Sequence, residues 1–122
     1  MQHYLIVFVT FNMSKSQLGE FEEIVLLTVG ILHGNAYGVS IKDEIENRTG
    51  RGVVVGALQV TLRRLEKKGF LKSKHGDTDT TRGGRPKLYF TLTAYGKKAL
   101  DHSRQIRDGL WKSLPEIVLK LS

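Results

Sequence analysis

Apolar side chains recur at helical spacing early in the chain. Leu18, Phe21, Ile24, Leu27, Ile31 and Leu32 fall on such a stripe, and Gly34 follows as a stop. A second helix is expected from Gly38 to Thr49. There Ile41 and Ile45 share one face, Lys42, Asp43, Glu46 and Asn47 share the other, and Gly50 closes the element. A third is expected from Val53 to Gly69, with Val55, Leu58, Leu62 and Leu65 forming the stripe that faces the core. After Gly69 the pattern changes from helical to alternating. Phe70 to Lys74 reads as a short strand, HGDTDTTRGGRP as a polar loop, and Leu88, Phe90 and Leu92 alternate with Lys87, Tyr89 and Thr91 as a second strand. Thr93 is placed to cap a fourth helix. Its apolar positions Ala99, Ile106, Leu110, Leu114, Ile117 and Leu121 approximate coiled-coil spacing. Pro115 interrupts that helix, and Ser113 with Glu116 has the spacing of a capping box for a short final one.

Three helices, a hairpin and a further helix predict a mainly α fold with a β-hairpin, of the α+β class. This is the winged helix-turn-helix layout, in which the third helix enters a major groove and the hairpin lies beside it. The expected organisation is an N-terminal extension over 1–17, a winged-helix domain over 18–93 and a C-terminal dimerisation helix over 94–122. The opening MQHYLIVFVTFN is apolar and uncharged. It lacks the positive start and cleavage site of a secretory signal and is too short to cross a bilayer as a helix. Two readings stand for it: an upstream extension before a native start at Met13, or an element that packs on the body or on a partner chain.

Charge sharpens the picture. The 122 residues suffice for one hydrophobic core, and the absence of cysteine excludes a disulfide framework, a thiolate metal site and a cysteine nucleophile. Residues 51–100 hold twelve Lys and Arg against three Asp and Glu, whereas residues 1–50 are net acidic, so the formal +7 is concentrated in the middle of the chain. Such a block is the footprint of a polyanionic partner, and the expected setting is cytoplasmic, with no membrane partner.

Two stretches carry the candidate chemistry. On the third helix, Gly56, Val60, Arg63 and Lys67 lie opposite the leucine stripe, flanked by Ala57 and Arg64. Small residues in the first half and cations in the second suit a helix that approaches bases and then phosphates, although a solvated basic face near a helix C-terminus has the same composition. In TRGGRPKLYFTLT, Arg82, Arg85 and Lys87 surround Gly83 and Gly84, a turn able to come close to a phosphate backbone. A nucleotide cradle fits less well, because those glycines precede a strand rather than a helix. GRGVVVG does precede a helix but follows another and lacks the Walker lysine. His3, His33, His75 and His102 have no metal-ligand spacing, and Asp77 and Asp79 lack the remaining ligands of a calcium loop. No cofactor, metal or catalytic residue is therefore expected.

Across residues 18 to 100 the chain resembles the PadR-type transcriptional regulators. The resemblance rests on the opening helix with Tyr37-Gly38 after it, on Leu62, Arg64, Leu65, Glu66 and Gly69, and on GRPKLYFTLT from Gly84 to Thr93, which includes Tyr89. It implies a winged-helix homodimer, joined through the C-terminal helix, whose usual activity is ligand-responsive repression. The family commonly has a tyrosine three residues before the Leu62 equivalent; Gln59 stands there instead and can bond a phosphate or an adenine edge. In some relatives an aromatic on the last helix lines a drug-binding pore at the dimer interface, which makes Trp111 the candidate for an effector site; the other reading is plain packing.

The function expected is thus a dimeric, sequence-specific DNA-binding regulator on a palindromic operator. Residues Val53 to Val60 supply sequence choice, and Arg63, Arg64, Lys67, Arg82, Arg85 and Lys87 contact phosphates. The alternative is a winged-helix module that binds an acidic partner without reading DNA.

Overall fold

The computed structural model describes residues 17–77 and 86–122. Residues 1–16 of the N-terminal extension lie outside them, as do Arg82, Gly83 and Arg85 of the hairpin tip. The element order is α1 (Glu20–Ile31), α2 (Gly38–Thr49), α3 (Val55–Lys67), β1 (Leu71–His75), β2 (Leu88–Leu92), α4 (Ala94–Lys112) and α5 (Glu116–Leu119). The fold is mainly helical with one antiparallel hairpin, registered from Leu71 opposite Leu92 to His75 opposite Leu88.

Local chemistry sets most of the boundaries. At the start of α1 the Gly19 amide donates to the Glu22 carboxylate at 2.9 Å, and Glu20, Glu22 and Glu23 oppose the positive end of the helix dipole. The Tyr37 amide donates to Ser40 Oγ at 2.9 Å where α2 begins, and Gly50 ends that helix in the left-handed region with φ 72°. The end of α3 is a Schellman turn, since Gly69, at φ 84°, donates to the Glu66 carbonyl and Phe70 donates to the Leu65 carbonyl. That turn delivers Phe70, fully buried, into the core as β1 begins. Thr93 caps α4 by accepting from the Gly96 amide at 3.0 Å. Ser113 forms no capping box: its hydroxyl donates back to the Gly109 carbonyl, and α5 starts on Pro115 without a side-chain cap.

The core gathers Val25, Leu26 and Val29 of α1, Ile41 and Ile45 of α2, Leu58, Leu62 and Leu65 of α3, Leu71 and Phe90 of the hairpin, and Ala99 and Leu100 of α4. Two expected stripes are displaced. On α1 the buried set is Val25, Leu26 and Val29, and Leu27 and Ile31 are exposed. This helix is apolar on most sides, so its neighbours select the inner face. On α3 the first stripe member, Val55, is 52% exposed, whereas Val53 is 8% exposed and belongs to the core. The helix starts two residues later than expected, which turns Val53 inward ahead of it.

The hairpin is tied to the helices on both sides. Phe90 donates its amide to the Ala36 carbonyl at 2.8 Å, and Thr93 donates its amide to the Phe70 carbonyl. The start of α4 approaches β1 so closely that a Cβ on Gly96 would lie 2.3 Å from the Phe70 carbonyl oxygen. Past Leu100 the character of α4 changes, and Ile106, Leu110 and Trp111 face solvent. No helix among the described residues is long and apolar enough to cross a membrane.

Candidate nucleic-acid interface

The turn between α2 and α3 is held from beneath. Glu46 accepts from the Val53 amide at 2.9 Å and from Lys42 Nζ at 2.9 Å. The Val53 amide first, and the Lys42 ammonium second, hold the Glu46 carboxyl below its ordinary range. Arg51 reaches from the same turn to Glu20 at 2.6 Å and lies over the Phe21 ring at 5.4 Å, and its hydrogen bond and charge lower the Glu20 carboxyl likewise. At the other end, Lys68 pairs with the largely buried Glu22 at 3.1 Å. Both ends of α3 are thereby fastened to the helices that carry it.

The outer face of α3 is left open. Gly56, Ala57, Gln59, Val60, Arg63, Arg64 and Lys67 are all exposed. Val53 is not on this face, because its side chain is in the core and its amide is bound by Glu46; a base-reading role for it does not fit. Two features of the first turn run against helix stability. Its N-cap, Val54, offers no side-chain acceptor, which forgoes about 1 kcal/mol of capping. Gly56 has negative φ, and a Cβ there would meet nothing within 4 Å, so neither backbone geometry nor packing inside the chain requires a glycine that costs a helix about 0.5 kcal/mol.

Cations divide into two groups. Lys42, Arg48, Arg51, Lys68, Lys97, Arg104, Arg107 and Lys120 each pair with a carboxylate. Among the described residues no such pair involves Arg63, Arg64 or Lys67 of α3, Lys72 or Lys74 of β1, Lys87 ahead of β2, or Lys98 and Lys112 of α4, so five of the eight cluster on α3 and β1. The acid on α3, Glu66, accepts from the Ser73 hydroxyl and so stabilises the helix-to-strand junction rather than neutralising its neighbours. Lys72 and Lys74 alternate along β1 on the face they share with Tyr89 and Thr91 of β2. Both were missed in the sequence, where nothing distinguished them from solvated strand lysines.

A groove of about 320 Å³ separates α3 from the hairpin and the N-terminus of α2. Gln59, Leu62 and Arg63 line one wall, Lys87, Leu88 and Phe90 another, and Tyr37 and Val39 the end. Cations from helix and wing, Arg63 and Lys87, thus border one surface. Lys87 Nζ sits 4.2 Å from the centre of the Tyr37 ring, and Tyr89 meets the same ring edge to face at 5.6 Å. Tyr89 acts first as packing that holds the base of the wing.

On α4, Ala99 is fully buried in the winged-helix core and has no surface to offer a second chain. Ile106, Leu110, Trp111, Ile117 and Leu121 are exposed, and Leu114 is partly so. Arg107 pairs with Glu23 at 3.2 Å, which sets α4 beside α1. Glu23, Leu27 and Ile31 stand at i, i+4 and i+8 on one ridge of α1, so the exposed Leu27 and Ile31 extend from the α4 contact.

Comparison with known proteins agrees with this architecture. Residues 26–102 match the transcriptional regulator PadR-like family. An uncharacterised protein of Lysinibacillus sphaericus is 32% identical over 102 residues, spanning 82% of this chain and 85% of that one. A PadR family transcription regulator from hypervirulent Clostridium difficile is 30% identical with a TM-score of 0.58, covering 73% of this chain and 91% of that one. A PadR-like transcription factor from Bacteroides fragilis is 25% identical with a TM-score of 0.66, covering 86% and 93%. The chain belongs to the PadR-like family of transcriptional regulators, whose members are regulators and not enzymes.

Proposed function

We propose that the protein binds double-stranded DNA as a homodimer, with α3 in the major groove and the hairpin alongside, and represses transcription from a palindromic site. The observation that carries this reading is that, among the described residues, five cations clustered on α3 and β1 form no ion pair with an acid, whereas most of the cations elsewhere do. Leaving several like charges uncompensated on one surface is unfavourable unless a polyanion supplies the counter-charge. Arg63, Arg64, Lys67 and Lys87 contact phosphates, joined by Arg82 and Arg85 at the tip, and the exposed first half of α3 with Gln59 selects sequence.

Dimerisation uses Ile106, Leu110 and Trp111 of α4 together with Leu114, Ile117 and Leu121 beyond its end, widened by Leu27 and Ile31 of α1. Their exposure on one chain is a surface that association would bury. A two-fold pair of recognition helices reads two inverted half-sites about one turn apart. A small effector binds between the subunits near Trp111 and alters the spacing of the two α3 helices.

Selection from a randomised duplex pool tests the reading. The wild-type protein is expected to enrich an inverted repeat, and Gln59→Ala to lose preference at one position of each half-site. Enrichment of no sequence would point instead to a module that binds an acidic protein, and an unchanged preference in the variant would take Gln59 out of the reading set.

A further inference from the structure

We propose that this chain reads the 5-methyl groups of thymine through Val54, Val55 and Val60, with Gln59 as the polar reader between them. The inference rests on the DNA-binding reading above and specifies the chemistry of its half-site. Val54 is 72% exposed, Val55 52% and Val60 48%, although each is a β-branched apolar residue on or beside the first turns of a helix whose inner face is fully packed. Val55 and Gln59 are four residues apart, as are Gly56 and Val60, so these side chains tile one continuous strip. Within that strip, ahead of Arg63, Gln59 alone carries a hydrogen-bonding side chain.

In the major groove adenine, guanine and cytosine edges present hydrogen-bond donors and acceptors, whereas thymine adds a methyl group, the one apolar feature of the groove. A strip of valines leaves polar edges unsatisfied but gains on every methyl it covers. The absent side chain at Gly56, which nothing inside the chain requires, leaves the room for such close approach. The missing cap at Val54 fits the same purpose: an acceptor side chain there would serve the helix and remove an apolar contact.

The test begins from a duplex selected by the wild-type protein. Deoxyuridine replaces thymidine at every position of the half-sites, which removes the methyl groups and keeps every hydrogen-bonding group. The expected result is a loss of about three- to five-fold in affinity for each methyl contacted. In a double-mutant cycle, Val54→Ala, Val55→Ala and Val60→Ala are each expected to shrink the thymine-over-uracil ratio at one position. The three valines lie on the surface, and circular dichroism melts check that the variants keep the fold. Equal affinity for thymine and uracil duplexes overturns the inference while leaving DNA binding intact. A thymine preference that survives in all three variants overturns the assignment to these valines. Failure of the wild-type protein to retain any duplex overturns the DNA-binding reading together with this one.

Discussion

The carboxylate of Glu46, in the last turn of α2, accepts a hydrogen bond from the amide of Val53 at 2.9 Å, seven residues on and just ahead of α3. This bond ties the turn between the two helices to α2 just ahead of α3. Because the folded protein holds the Glu46 carboxyl below its ordinary value, its contribution is complete above the ordinary carboxylate range and is lost as pH falls through the lowered value. Glu46→Ala is expected to lower the melting temperature at pH 7 and to have less effect at acid pH. Thermal melts of both proteins from pH 3 to 7 check this, and parallel curves would contradict it.

Two glycines in the first turns of helices are expected to respond in opposite ways. Gly96 lies against the Phe70 carbonyl, so Gly96→Ala forces backbone apart and should cost about 1–3 kcal/mol. Gly56 faces open space, so Gly56→Ala should stabilise the fold by about 0.5 kcal/mol. The same Gly56→Ala change is expected to weaken DNA binding. Denaturant titration and a mobility-shift assay on the two variants separate the effects.

Element order and the helix-ending glycines at 34, 50 and 69 were legible in the sequence, because each depends on a local signal such as periodicity or a stop residue. What was not legible depends on contacts between elements. Three consecutive valines give periodicity no means of choosing a first helical residue, and the Val53 amide is bound by Glu46 on another helix. Ala99 continues the spacing of Ile106 and Leu110, yet the first turns of α4 complete the winged-helix core and its later turns leave it. The candidate site divides in the same way. Arg63, Arg64 and Lys67 follow from a helical wheel, whereas Lys72, Lys74, Leu27 and Ile31 acquire meaning only from what they lack as neighbours.

The proposed association through α4 has a direct consequence for mutants. Leu110 and Trp111 are 66% and 67% exposed on the single chain, so Leu110→Glu should leave its fold unchanged. In a dimer the same change places a charge in an apolar seam, which costs far more than it would in water. Sedimentation velocity is expected to show the wild type as a dimer and the variant as a monomer. A wild-type monomer at micromolar concentration would contradict the interface.

The most direct measurement of the central claim, that unpaired cations on α3 and the wing meet a phosphate backbone, is the salt dependence of binding to a selected duplex. With six or more phosphate contacts, affinity should fall about a thousand-fold or more between 50 and 200 mM salt. Arg63→Ala is expected to reduce the slope of log affinity against log salt by about 1.8, one phosphate contact for each of two subunits, and Arg104→Ala, whose arginine already faces Asp108, to leave it unchanged. A flat salt response in the wild type, or equal slopes in all three proteins, would contradict the claim.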